Sequence, residues 1–237
     1  MLELFARNTG VTSDAIVIQT AFDAGKALHD SIDAMSFEDE VSVRSDSIPS
    51  LRALLFMARA FVHGARVQVR QISRLLCIFI RGVSFSSDLE LHLNFFVDCR
   101  RFFIRIDDVK FVLVMGVLSL VQRTNAIVKG NHTRRTTVFV KACLAYAHIT
   151  IPSIMEPMRR LHLFLLAGQI SLSNNLVTQA ETLLKAAIAY IPDLSSLEPQ
   201  RKPHDDDVMS FISSLANTLI VAPGHPECAR RCISSYR

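Results

Sequence analysis

Between Asn175 and Ile191 the apolar side chains Leu176, Ala180, Leu183, Leu184, Ala187, Ile188 and Ile191 return at the i, i+3, i+4, i+7 spacing. Only an α-helix that buries one face has a use for that pattern. Glu181 and Lys185 pair in the favourable order on the opposite, polar face, and Pro192 ends the helix because it cannot donate the next backbone hydrogen bond. A shorter helix precedes this one. Pro157 suits a first-turn position, Met158, Leu161 and Leu165 make a stripe, and Gly168 can take the left-handed conformation that closes a helix. With only about six residues left between them, the two helices are expected to fold back as an antiparallel hairpin.

The same grammar recurs upstream and downstream. Phe139, Ala142, Cys143, Tyr146 and Ile149 mark one face of a helix that begins near Thr133 and ends before Pro152. Ser87 and Glu90 are spaced as a capping box ahead of the stripe Leu89, Leu93, Phe96 and Phe103. Asp205, Asp206 and Asp207 sit where a helix start favours negative charge, followed by Val208, Phe211, Ile212, Leu215 and Leu219, with Pro223 and Gly224 closing the segment. Glycine and proline number only 8 each, too few for the many tight turns of a sheet protein. The reading is all-α, roughly seven to nine helices of about 15 to 22 residues with no period-2 strand, arranged as a bundle or an α-solenoid. No short repeat recurs at a fixed period, although degenerate helical-pair repeats hide well.

The residues point away from chemistry. No phosphate-cradling glycine loop, GxSxG elbow or HExxH pair is present, and no cofactor is expected. His225, Cys228 and Cys232 are loosely spaced like metal ligands but lack a fourth partner, and an ordinary chain end explains them better. His204 beside Asp205 to Asp207 could hold a cation, against the simpler reading of a solvated helix start. Cys77, Cys99, Cys143, Cys228 and Cys232 are widely spaced and odd in number, which suits reduced thiols of a cytosolic protein rather than a disulfide framework. The formal charge of +4, with arginines spread along the chain, is a weak footprint for nucleic-acid binding.

Three segments bear on membranes. The N-terminus has no signal-peptide core. Phe111 to Val121 is largely apolar but well short of the roughly 20 residues a helix needs to cross a bilayer, so a buried core helix is expected. Asn131, His132 and Thr133 match a glycosylation sequon that has meaning only in a secreted chain, and nothing directs secretion. Around it Lys129, Arg134 and Arg135 form a basic turn, either plainly solvated or able to meet an acidic partner or a phosphoinositide headgroup. Residues 42–69 differ in composition from their surroundings. Arg52, Arg59 and Arg66 share one stripe while Leu51, Leu54, Leu55, Ala58 and Val62 share another, as in a basic amphipathic helix for an anionic membrane or an inserted packing helix.

The stretch from Gly130 to Arg135, then Phe139 to Tyr146 and Ile149 to Ser153, closely resembles the large subunit of the retriever (Commander) complex, the vacuolar protein sorting thirty-five-like scaffold, in its C-terminal part. The likeness continues through Leu161–Gln169, Gln179–Ile188 and Ile220–Pro226, and is visible in Leu28–Asp33 and Ser84–Phe95. It implies an α-solenoid of antiparallel HEAT-like helical pairs over 1–237. The resemblance further implies a non-catalytic scaffold in endosomal recycling of membrane proteins, cytoplasmic and peripherally associated with endosomes. The implied partners are the small phosphoesterase-fold subunit named vacuolar protein sorting twenty-nine and, through parts missing from this chain, an arrestin-like subunit of the vacuolar protein sorting twenty-six type. A retromer-type scaffold and a peripheral membrane-binding helical protein are the alternatives. The pattern carries no single contact residue across.

The chain departs from that pattern in three places. Residues 42–69 interrupt it, as an insertion or a retained intron. The helix from Asp107 to Lys129 is more apolar than an exposed solenoid helix should be. Residues 228–237 read as an unrelated tail, which would leave the last helical pair without the neighbour that covers its apolar face.

Overall fold

The computed structural model describes residues 14–42, 69–195 and 205–222, with side chains placed for 14–30, 69–194 and 205–222. The 43–68 segment with Arg52, Arg59 and Arg66 lies outside the described residues, as do His204 and the set His225, Cys228 and Cys232. Among the described residues the fold is all-α, with no β-strand. We label the helices α1 (Ala15–Ser42), α2 (69–82), α3 (Leu89–Phe102), α4 (Asp107–Val128), α5 (Arg134–Thr150), α6 (Pro157–Ser173), α7 (Val177–Ala189), α8 (Ile191–Ser195) and α9 (Asp205–Val221). Two compact units divide within α4, after Val112.

In the first unit, α1 buries Ile18, Ala21, Gly25 and His29 along one stripe, and α2 buries Leu76, Phe79 and Ile80. Aromatic rings fill the space between. Phe22 meets Phe102 edge-on at 5.4 Å and Phe103 at 5.6 Å, while Phe79 meets Phe95 at 5.8 Å. Such T-shaped pairs place a ring's positive edge against a neighbour's negative face. Ser73 donates to Asp108 at 3.0 Å, tying α2 to the start of α4. The capping box expected from Ser87 is replaced by a cap one residue later. Asp88 accepts from the Leu91 amide at 2.9 Å, and its carboxylate also suits the positive helix end.

The apolar run in α4 is accounted for by burial. Val109, Val112, Leu113, Val114, Val117, Leu118, Leu120 and Val121 are all inside, while Met115, Ser119, Gln122, Arg123, Ala126 and Ile127 face outward. The apolar run alone is too short to cross a membrane, but the whole helix is long and apolar enough by length and composition, and just under half of its most apolar stretch is buried inside the protein.

In the second unit α6 is the centre. Pro157 occupies the first turn as expected. Gly168, however, does not end the helix; it lies buried inside it, where an added Cβ would stand 2.7 Å from Leu184 Cδ2 and 2.9 Å from its Cγ. The glycine is there so that α7 can approach. The helix ends instead at a Schellman motif: Asn175 takes φ +58°, its amide donating to Leu172 at 3.0 Å and that of Leu176 to Ser171 at 3.0 Å. Asparagine tolerates this left-handed conformation better than other side chains, which is why the turn could form without glycine.

The hairpin is antiparallel, as the sequence implied. Gly168 faces Leu184, then Phe164 stacks on Tyr190 at 5.6 Å, then Arg160 reaches Asp193 at 3.9 Å. α7 stops at Ala189 and Pro192 falls in the short α8 beyond it, so the proline begins a new helical turn rather than ending the old one. α9 then lies parallel to α6. His162 meets Phe211 at 5.6 Å and Gln169 donates to Thr218 at 2.8 Å, so both helices advance by the same two turns between contacts. A hairpin followed by a helix parallel to its first member is how helical pairs stack in a solenoid.

α5 carries the largest correction to the sequence reading. Thr133 caps it, accepting from the Thr136 amide at 3.3 Å, and it closes at Thr150 before a 3₁₀ turn, Ile151–Ser153. Its buried side chains are Val140, Cys143, Leu144, Tyr146, Ala147 and Thr150. Ala142 points outward and Ile149 is 60 % exposed. Two apolar arcs exist on this helix, and periodicity alone could not say which one the core takes.

Two stability outcomes follow. Gly168→Ala is expected to cost about 1–3 kcal/mol by urea unfolding, and Leu184→Ala about 2–5 kcal/mol, with the double variant costing less than their sum because each change makes room for the other. Asn175→Val is expected to lower stability by about 1–2 kcal/mol and Asn175→Gly to leave it unchanged or raise it, as read by the same unfolding curves.

Candidate interaction surface

Among the described cysteines, Cys99 and Cys143 are buried and Cys77 is half-buried. Burial pushes the Cys143 thiol from 9.0 up to about 12, with a backbone hydrogen bond opposing. Burial likewise raises Cys99 well above its ordinary value, helped by the charge of Asp98. Cys77 is raised by burial and then by Asp108, against the pull of Arg81 and a hydrogen bond from Ser73. A raised pKa leaves little of the reactive thiolate at neutral pH and so slows attack by these thiols. Among the described residues no group of three histidine, cysteine or carboxylate side chains is placed to hold a metal ion. Asp205, Asp206 and Asp207 are exposed in the first turn of α9, where they favour the helix end.

What the second unit offers outward is surface. An open cleft of about 620 Å³ runs between the C-terminal halves of α6 and α9, lined by Gln169, Ser173, Asn175, Ser214, Asn217 and Thr218 among others. Amide and hydroxyl groups share its lining with the apolar Leu172, Val221 and Ala222, and none of these side chains is charged. Beside it, the outer face of α9 leaves Met209, Ile212, Leu219 and Ile220 exposed, the last at 80 %. The sequence stripe Val208, Phe211, Ile212, Leu215 and Leu219 is therefore split: Phe211 and Leu215 go into the core, Val208 is half-buried, and Ile212 and Leu219 stay out.

The basic turn is formed as the sequence placed it. Lys129 and Gly130 take φ +52° and +81°, letting the chain reverse between α4 and α5, and Lys129, Arg134 and Arg135 are exposed. The threonine of the sequon has a structural use, since Thr133 is the α5 cap.

Comparison with known proteins decides the family. The profile described as the VPS35L C-terminal domain matches residues 52–231. The chain belongs to this family. A *Dictyostelium discoideum* protein named VPS35 endosomal protein sorting factor-like is 38 % identical over 228 residues, 95 % of this chain and 20 % of that protein. Human VPS35 endosomal protein-sorting factor-like is 32 % identical over 219 residues, 91 % of this chain and 20 % of its own length. The *Drosophila melanogaster* relative is 31 % identical over 232 residues, covering 96 % of this chain and 21 % of that protein. This chain thus spans about a fifth of the length of the curated relatives it matches. The resemblance read from the sequence and the matched VPS35L domain agree, and the all-α pairs of the second unit are the fold that resemblance implied.

The thiols give a direct check. Because the folded pKa of Cys143 is raised from 9.0, the stability it contributes is fully present below about pH 9 and is lost as pH rises toward about 12. Native chain at about pH 8 should therefore leave Cys99 and Cys143 unalkylated by iodoacetamide, by peptide mass mapping, and its melting temperature should fall through the alkaline range.

Proposed function

We propose that this chain acts by binding proteins, as a non-catalytic scaffold segment of an endosomal sorting assembly of the retriever type that recycles membrane proteins to the cell surface. Membership of the VPS35L family carries the reading, because the relatives are named as endosomal protein sorting factors. The architecture is suited to it. Helical pairs stacked in register, as α6, α7 and α9 are, present long side-chain ridges to partners and need no reactive group.

The partner we assign is the small phosphoesterase-fold subunit, vacuolar protein sorting twenty-nine, with an arrestin-like subunit of the twenty-six type engaged by other parts of the assembly. The chain would then work on the cytoplasmic side of endosomes, peripherally associated with their membrane. Residues 42–69 are set apart by composition, although the matched family span reaches into them from residue 52 onward.

Calorimetric titration of the purified chain with the small phosphoesterase-fold subunit tests the reading. Binding with a Kd of about 1 µM or tighter is expected for the chain, and for a form lacking residues 42–69 if that segment is dispensable. No binding by either form, with a helical CD spectrum intact, would overturn the scaffold assignment.

A further inference from the structure

Charge is distributed unevenly over the second unit and the helix that enters it. Between Asp108 and Glu156 the chain has no carboxylate at all, while Lys110, Arg123, Lys129, Arg134, Arg135 and Lys141 are cationic. Lys110 is buried against Asp107 at 2.8 Å, and the other five are exposed. Two of them open α5, whose first turn contains no acid. Selection for helix stability alone would place acids there and cations at the far end.

The outward stripe of α5 runs Arg134, Val138, Lys141, Ala142, Ala145, His148 and Ile149, and none of these side chains is negative. Val138 is 62 % exposed, and Ile127, at the end of α4 beside the turn, is 69 % exposed. Branched apolar side chains standing in solvent between lysine and arginine suit a surface that lies on an anionic bilayer, with cations at the phosphates and methyl groups at the acyl boundary. An acidic peptide would be gripped by a groove, and the cleft described in this unit lies elsewhere, between α6 and α9.

We propose that the face formed by the α4–α5 turn and the outer stripe of α5 is a binding surface for anionic lipid membranes, with Lys129, Arg134 and Lys141 on the headgroup phosphates and Ile127, Val138 and Ile149 at the interface. The proposal deepens the endosomal reading and rests on it for the membrane's being present. Its chemistry stands on charge and exposure alone.

Co-sedimentation of the full chain with phosphatidylcholine vesicles containing about 30 % phosphatidylserine tests it, pure phosphatidylcholine vesicles serving as the reference. Binding is expected only to the anionic vesicles and should weaken as salt is raised. A Lys129→Gln, Arg134→Gln, Lys141→Gln variant should lose about 100-fold in partitioning, and Arg134→Gln alone about 5-fold, which keeps the test usable if the triple variant fails to fold. Val138→Ser with Ile149→Ser should also lower partitioning while leaving its salt dependence in place. Unchanged partitioning of a folded Arg134→Gln variant would overturn the proposal. Displacement of the chain from vesicles by a poly-glutamate peptide at concentrations that leave a lysine-rich peptide control bound would overturn it too, and would make the face a protein-docking one. Titration of the unaltered chain with the small phosphoesterase-fold subunit separates the two readings: no subunit binding together with salt-sensitive vesicle binding removes the scaffold assignment and leaves the lipid surface standing, and subunit binding without vesicle binding does the reverse.

Discussion

The second unit depends on how near α7 can come to α6, and that distance is set by a side chain that is missing. With a hydrogen at Gly168 where other residues carry Cβ, Leu184 seats directly on the α6 backbone. The close approach brings Phe164 against Tyr190 and Arg160 over the same ring at 4.9 Å, so the far end of the hairpin is pinned by a stacked pair with a cation above it. Since α6 then has one side fully occupied by α7, α9 docks along another side, and the shared register of His162 with Phe211 and Gln169 with Thr218 follows. One glycine thus fixes the spacing within a pair, and the pair fixes the seat of the next helix.

Burial has the same role in α4 that close approach has in α6. A helix with consecutive Val112, Leu113 and Val114 is apolar on more than one face, and such a sequence is stable either in lipid or inside protein. Here the run Val112 to Val114 packs inside protein, while Met115, Ser119, Gln122, Arg123 and Ile127 face outward. The apolar run that set this helix apart from an exposed solenoid helix is therefore what an inner helix requires.

Much of this was legible from the residues, and the parts that were not share one cause. The helices, their antiparallel hairpin and the cap at Thr133 follow from spacing and from local hydrogen bonding, which sequence records directly. Gly168 was read as a helix end because glycine supplies both left-handed backbone and bare backbone, and only the position of Leu184 distinguishes the two uses. Asn175 was the true turn residue, signalled by the Asn174–Asn175 pair but overshadowed by the nearby glycine. On α5 the arc through Ala142 and Ile149 is as apolar as the arc through Val140, Cys143 and Ala147. Choosing between them needs the neighbouring helix, which lies many residues away in sequence. The outward basic and apolar stripe is hidden for the same reason, since Ala142 and Ile149 within it fit the core-facing spacing equally well.

A helix that must only be packed needs one apolar arc, and the second arc of α5 adds exposed hydrophobic surface that costs solubility without adding to the core. The outer face of α9 repeats the pattern, with Phe211 and Leu215 inward while Met209, Ile212 and Ile220 stay out. Cys99 and Cys143 are buried, and the cleft between α6 and α9 is lined by amide, hydroxyl and apolar side chains. Apolar and basic patches spread over separate helix exteriors in this way would suit the proposed scaffold role, in which each partner is held through a modest surface of its own.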